Sequence, residues 1–220
     1  MLRGQSDAAK FCPQADAMAR LFSVLVLAYL GLSLADSLDG LLHPTVTLPS
    51  GAKVTGTYHE KQTSVYHAVP YAEPPLGDLR FAPPAPFPAS SDPIDATRIK
   101  SMCPQFSFVK GIHLGNEDCL HMSIYVPKSA KRDKPLPVMF WIFGGAFVLG
   151  DEQEFGWYNG KNLANNEDVI IVAANYRVGA FGFLAHEQFA SETESSTTGN
   201  YGIQDQRMAL QWVQVRRAAR

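Results

Sequence analysis

A stretch of main chain with almost no side chain on it is the first feature able to do chemistry. In Phe143-Gly144-Gly145-Ala146-Phe147, two glycines and an alanine follow an apolar run. Residues this small let the backbone turn sharply and come close to a ligand. They also leave the N–H groups of Gly145 and Ala146 uncovered. Main-chain donors fixed in a dry site stabilise the oxyanion that forms when an ester carbonyl is attacked, and losing one costs about 2.7 to 4 kcal/mol of barrier lowering. A strand followed by two glycines is equally an ordinary turn, so the pattern needs partners. The elbow that presents a serine nucleophile reads G-x-S-x-G, and the nearest approach to it is Gly31-Leu32-Ser33-Leu34-Ala35 in an apolar N-terminal stretch. The six histidines, His43, His59, His67, His113, His121 and His186, have no nucleophile beside them in sequence and read as surface or packing residues. Neither H-E-x-x-H nor paired C-x-x-C occurs, so no metal and no other cofactor is expected.

The elements that must position this loop are short and β-rich: Leu120 to Val126, Val138 to Phe143 and Val169 to Ala174. The last two are nearly continuous in apolar character, which predicts strands covered on both faces in a mixed or parallel sheet. Tyr158 to Glu167 is polar and free of proline, suited to a crossover helix between them. Ile203 to Val215 places Ile203, Met208, Ala209 or Leu210, Trp212 and Val213 along one side of a further helix. Strand, helix, strand, helix is the order of an α/β layer fold. Upstream, Thr45 to Leu48 and Lys53 to Tyr58 flank the turn cluster Pro49-Ser50-Gly51 and predict a solvated hairpin. The proline-rich stretch from Pro70 to Pro93 excludes regular helix and reads as an ordered surface wrap or a linker. The basic run from Lys128 to Lys134 is a solvated loop.

Nineteen basic and 21 acidic residues give a net charge of −2, which offers nothing to nucleic acid or an anionic membrane. The weakly polar to apolar run from Leu21 to Leu34 holds 14 residues, whereas a membrane span needs about 20. With Arg20 before it and Ser33-Leu34-Ala35 after it, the run predicts a signal peptide that starts at Met18 and is cut after Ala35, hence a secreted protein without a transmembrane span. Residues 1–35 are therefore expected to be an N-terminal extension and signal peptide. The cut discards Cys12 and leaves Cys103 and Cys119, an even pair that should join in an oxidising compartment. The 15 residues between them make a loop whose closure contributes about 3 kcal/mol in the chain-entropy view.

Five blocks in order carry a family resemblance: Tyr71 to Pro86 (YAEPPLGDLRFAPPAP), Glu117 to Pro127 (EDCLHMSIYVP), Trp141 to Phe147 (WIFGGAF), Asn175 to Ala185 (NYRVGAFGFLA) and Gly199 to Gln214 (GNYGIQDQRMALQWVQ). The sequence resembles the type B carboxylesterase and cholinesterase family. The resemblance implies an α/β-hydrolase fold, here the N-terminal portion of a mostly parallel mixed sheet with flanking helices, over residues 36–214, followed by a divergent tail at 215–220. It implies that the N–H groups of Gly145 and Ala146 are two of three oxyanion donors, with Ala146 narrowing the space for bulky acyl groups. It implies a Cys103–Cys119 disulfide and two buried scaffold ion pairs, Arg80 with Glu117 and Arg177 with Asp205. The substrate it implies is a small-molecule carboxylic ester. Cholinesterases hold a quaternary ammonium on a tryptophan inside the disulfide loop, and this loop (PQFSFVKGIHLGNED) has none, so a general carboxylesterase is the expectation. The serine, acid and histidine of the reaction are expected downstream of Gln214, which makes the 220 residues by themselves inactive. A non-catalytic adhesion-type member of the same fold and a short fragment are the alternative readings.

Overall fold

The computed structural model describes residues 42–218 except 61, 108–109, 132 and 191–197. The extension and signal peptide expected over 1–35 lie outside the described residues.

Ten strands run in chain order: β1 Thr45–Thr47, β2 Lys53–Thr55, β3 Thr57–His59, β4 Thr63–Pro70, β5 Ile94–Asp95, β6 Gln105–Ser107, β7 Ile112–Leu114, β8 His121–Pro127, β9 Val138–Trp141 and β10 Ile170–Ala174. Four α-helices lie among the described residues, the first between β9 and β10 and the others after β10: α1 Lys161–Glu167, α2 Gly179–Phe183, α3 Glu187–Ala190 and α4 Tyr201–Ala218. The main sheet has the order β3-β4-β8-β10-β9. It is mixed, as expected, but among the described residues only β10 and β9 are parallel, and the three other pairings are antiparallel. The reason is connectivity: β9 reaches β10 through α1, a connection long enough for a parallel return, while β3 and β4 are joined by a tight turn.

Alternation along β10 builds the layers. Ile171 points towards α1 with Val65, Tyr125 and Ala164. Its neighbours Ile170, Val172 and Ala174 face the opposite way, onto Ala209, Met208, Trp212 and Val213 of α4. All five residues of β10 are buried, matching the apolar run. Strand β9 departs from the expected two-sided cover: Val138 and Phe140 pack on the α4 side, but Met139 is 53 % and Trp141 44 % exposed. It stands at the sheet's edge among the described residues, and that face is covered only in part, the Trp141 ring meeting Tyr158 at 5.0 Å.

Helix α1 starts where the Asn159 side chain accepts the Lys161 N–H at 3.1 Å, and it ends on Asp168 in the left-handed conformation. On α4 the inward side is Tyr201, Asp205, Met208, Ala209, Trp212 and Val213; of the alternatives Ala209 and Leu210 it is Ala209 that is buried, while Ile203 is exposed, contrary to the apolar side read from the sequence. Asp205 takes that side, its carboxylate paired with the buried Arg177. The helix continues past Gln214 to Ala218.

The predicted hairpin forms as β1 against β2, but Tyr58 belongs to a different sheet. At Gly56 the chain crosses from β2 to β3, and an added Cβ there would strike the Tyr66 ring at 2.7 Å. The proline-rich stretch is an ordered wrap. Glu73 donates its N–H to Ala85 O at 2.9 Å, and the Phe81 ring stacks on Phe181 and Phe189.

Candidate functional site

The loop after β9 begins on a buried anchor. The Phe143 ring stacks on Tyr176 at 4.1 Å, and the Tyr176 hydroxyl donates to Phe143 O at 2.8 Å. Beyond it the backbone enters left-handed conformations at three successive residues, Gly145 (φ 112), Ala146 (φ 54) and Phe147 (φ 63). Glycine is required at the first, because a Cβ on Gly145 would overlap the Leu149 carbonyl. The Gly145 carbonyl accepts the N–H groups of Val148 at 3.0 Å and Leu149 at 3.3 Å, and the Phe147 carbonyl accepts that of Gly179 at 2.7 Å. None of the N–H groups of Gly144, Gly145 and Ala146 donates to a main-chain carbonyl among the described residues. The Phe143, Gly145 and Phe147 carbonyls are thus engaged while these three N–H groups have no main-chain acceptor among the described residues.

The far end of the loop is tied from two directions. Gly150 exchanges hydrogen bonds with the Gln105 amide, its N–H donating to Oε1 at 2.8 Å and its carbonyl accepting from Nε2 at 2.9 Å. Two residues on, the buried Glu152 accepts the Ser123 N–H at 2.6 Å and the Ser123 hydroxyl at 2.9 Å, and its own N–H donates to the Asn175 side chain at 3.0 Å. Burial raises the Glu152 carboxyl to about 8, against the lowering pull of the Ser123 hydrogen bonds. The Ser123 hydroxyl is also 2.8 Å from His67 Nδ1, and burial lowers His67 to about 4, with Lys161 acting in the same direction.

Sequence reasoning missed this Ser–His–carboxylate cluster, since β4, β8 and the 150–153 segment meet only in three dimensions. It is not a hydrolytic triad. Ser123 is wholly buried, so no ester reaches it, and the carboxylate bonds the serine and not the histidine it would have to orient. His121 is a second buried histidine, with both ring nitrogens unpartnered among the described residues and burial lowering it to about 4.

The remaining singled-out residues flank the loop. Cys103 and Cys119 are bonded, with Cα atoms 5.1 Å apart. Arg177 lies at the end of β10 and forms a two-pronged pair with Asp205 of α4, at 2.8 and 2.9 Å, while its Nη1 donates to Ala82 O of the wrap at 2.9 Å. That pair is sealed, its side chains 3 % and 0 % exposed. Arg80 and Glu117 also pair through two bonds, at 2.6 and 2.7 Å. Their expected burial is corrected by the structure: the Arg80 side chain is 44 % exposed because the wrap crosses the surface there. Among the described residues no group of three or more His, Cys, Asp or Glu is arranged to hold a metal ion, and no helix is long and apolar enough to cross a membrane.

Residues 43–218 match the carboxylesterase family. Para-nitrobenzyl esterase of Bacillus subtilis is 39 % identical over 178 residues, covering 79 % of this chain and 35 % of its own length. Venom carboxylesterase-6 of Apis mellifera is 38 % identical, covering 76 % of this chain and 30 % of its own, and acetylcholinesterase of Electrophorus electricus is 37 % identical, covering 89 % and 32 %. Among solved structures a PNB esterase superposes with a TM-score of 0.66 at 39 % identity, over 78 % of this chain and 34 % of that one. The chain thus spans about a third of the length of these relatives. With an α/β-hydrolase sheet, a glycine-rich loop after β9 and this match across most of its length, the chain belongs to the carboxylesterase family.

Proposed function

We propose that the full-length protein is a serine-type carboxylic ester hydrolase, and that the main-chain N–H groups of Gly145 and Ala146 are two donors of its oxyanion hole. The observation that carries this reading is the loop itself, held in left-handed conformations with the Gly145 and Phe147 carbonyls engaged and those N–H groups without a main-chain acceptor among the described residues. When a nucleophile attacks an ester carbonyl, charge grows on the carbonyl oxygen. Donors already in place stabilise that charge more than the neutral ester, which is what lowers the barrier. The Ala146 methyl keeps the donor and narrows the acyl side. Apart from the GLSLA look-alike at 31–35, the sequence holds no G-x-S-x-G elbow, so the serine of this reading comes from outside the described residues, as do its acid and histidine.

The substrates in this reading are small-molecule carboxylic esters without a preference for choline, because no tryptophan stands between Cys103 and Cys119 to face a quaternary ammonium. Export through the 18–35 segment is part of the same proposal, supported by the apolar run and by a bonded cysteine pair. The test is turnover of p-nitrophenyl acetate by the full-length protein. Hydrolysis above a boiled control, abolished by stoichiometric organophosphate labelling, supports the proposal. No turnover and no labelling would refute it and leave a non-catalytic adhesion-type member.

A further inference from the structure

We propose that Gln105 is a positioning residue for the oxyanion loop, tying the disulfide-closed hairpin to the loop's far hinge at Gly150. The inference rests on the esterase reading above, and it names a part of that site which the five sequence blocks do not contain.

Gln105 opens β6, which pairs with β7 in register Gln105 to Leu114 inside the loop closed by Cys103 and Cys119. Its amide is used on both sides. Nε2 donates to Gly150 O at 2.9 Å and to Cys103 O at 3.1 Å, and Oε1 accepts the Gly150 N–H at 2.8 Å. Gly150 is 45 residues away in sequence, yet its two main-chain groups are satisfied as a strand partner would satisfy them. Gly150 is buried, so without Gln105 both groups would lose their partner in a place water does not fill.

The tie matters because Gly150 backs directly onto the start of the loop. Its φ is +118°, and an added Cβ would stand 2.6 Å from the Phe143 ring and 2.7 Å from the Gly144 carbonyl. Leu149 likewise closes against Gly145. The two ends of the 143–150 segment are therefore in contact, and a shift at Gly150 is passed to the peptides bearing the Gly145 and Ala146 N–H groups. The bond from Nε2 to the Cys103 carbonyl locks the Gln105 side chain to a disulfide residue, so the cross-link sets where the amide is presented. At neutral pH the glutamine amide offers a donor and an acceptor at this spacing; an ionised glutamate offers acceptors alone, and asparagine is a methylene short.

The test compares Gln105→Leu and Gln105→Glu in the full-length protein. Misplacing a catalytic group by about 1 Å costs on the order of 100-fold, so Gln105→Leu is expected to lower kcat for p-nitrophenyl acetate by about 10- to 100-fold with KM little changed. Amide hydrogen exchange should quicken over 144–150 while β4, β8 and β10 keep wild-type protection. In Gln105→Glu a protonated carboxyl regains one donor and one acceptor, so its kcat relative to wild type should rise as the pH falls from about 7 to about 5, towards the ordinary glutamate range. That rise should be absent in Gln105→Leu. Wild-type kcat and exchange in both variants would overturn the proposal. Loss of protection throughout the sheet would overturn it equally, since Gln105 would then support the fold and not the loop. If the wild type itself hydrolyses nothing, the esterase reading fails, while loop exchange in Gln105→Leu still decides the tie.

Discussion

Replacing Glu152 by Gln probes the charge state of the core beneath the loop. Glu152 is 1 % exposed, and no Lys or Arg pairs with it among the described residues. Burial raises its carboxyl from 4.5 to about 8; the Ser123 hydrogen bonds oppose that rise and Asp151 adds to it. The unfolded carboxyl sheds its proton near 4.5, while the folded one keeps it to about 8. Between those values the folded state holds a proton the unfolded state has lost, so stability falls as pH rises and levels off above about 8. One group gives a slope of about 1.4 kcal/mol per pH unit, and the whole window amounts to something on the order of 5 kcal/mol. Glutamine cannot ionise, yet its carbonyl can accept the Ser123 N–H and its amide can donate to the Ser123 hydroxyl. Urea unfolding of the full-length protein and Glu152→Gln between about pH 6.5 and about pH 8 should show the variant's advantage growing by roughly 2 kcal/mol at unchanged m. His67 and His121 are neutral in the folded protein across that range, because burial holds each neutral down to about 4, and the titration of their unfolded imidazoles near 6.5 is common to both proteins and drops out of the difference. Their own contribution runs the other way, stability being lost as pH falls from 6.5 towards 4. A difference between the two proteins that stays constant with pH would refute the reasoning, because it would mean the carboxylate is already charged in the folded state.

The two ion pairs should part company. Asp205→Asn strands the sealed Arg177 guanidinium and should cost about 3 to 5 kcal/mol in chemical unfolding, whereas Arg80→Ala, at an exposed pair, should leave the unfolding midpoint almost unmoved. Gly150→Ala should lower kcat of the full-length protein by on the order of 100-fold, since the new Cβ meets the Phe143 ring at 2.6 Å; activity within a factor of two of wild type would contradict the loop's geometry. His121→Leu should raise the unfolding free energy at neutral pH by about 1 to 2 kcal/mol, because it removes two buried nitrogens that have no partner among the described residues. A thermal melt showing destabilisation would argue that those nitrogens are satisfied.

Local patterns in the sequence were enough to mark β8, β10 and α1, the glycine loop and the order of an α/β layer fold, because apolar runs and small residues act within a few positions of themselves. The composition of 70–93 excluded helix, but whether it was a wrap or a linker depended on Phe81 finding Phe181 and Phe189, rings about a hundred residues away. The same limit applies to α4, whose inward side follows Asp205 and its buried arginine, so that periodicity alone assigned Ile203 to the wrong face and left Ala209 and Leu210 undecided. Burial of Arg177 and exposure of Arg80 could not be told apart from residue type, since solvent access is a property of the surroundings. Neither the Gln105 tie to Gly150 nor the His67–Ser123–Glu152 cluster leaves any trace in local sequence. By itself the sequence determined which segments could become strands, turns and a glycine-rich loop, because those choices rest on short-range sterics and hydrophobic spacing. Only the tertiary structure decided what anchors the loop and which carboxyl is forced to keep its proton, because partners and desolvation exist only once distant segments have packed.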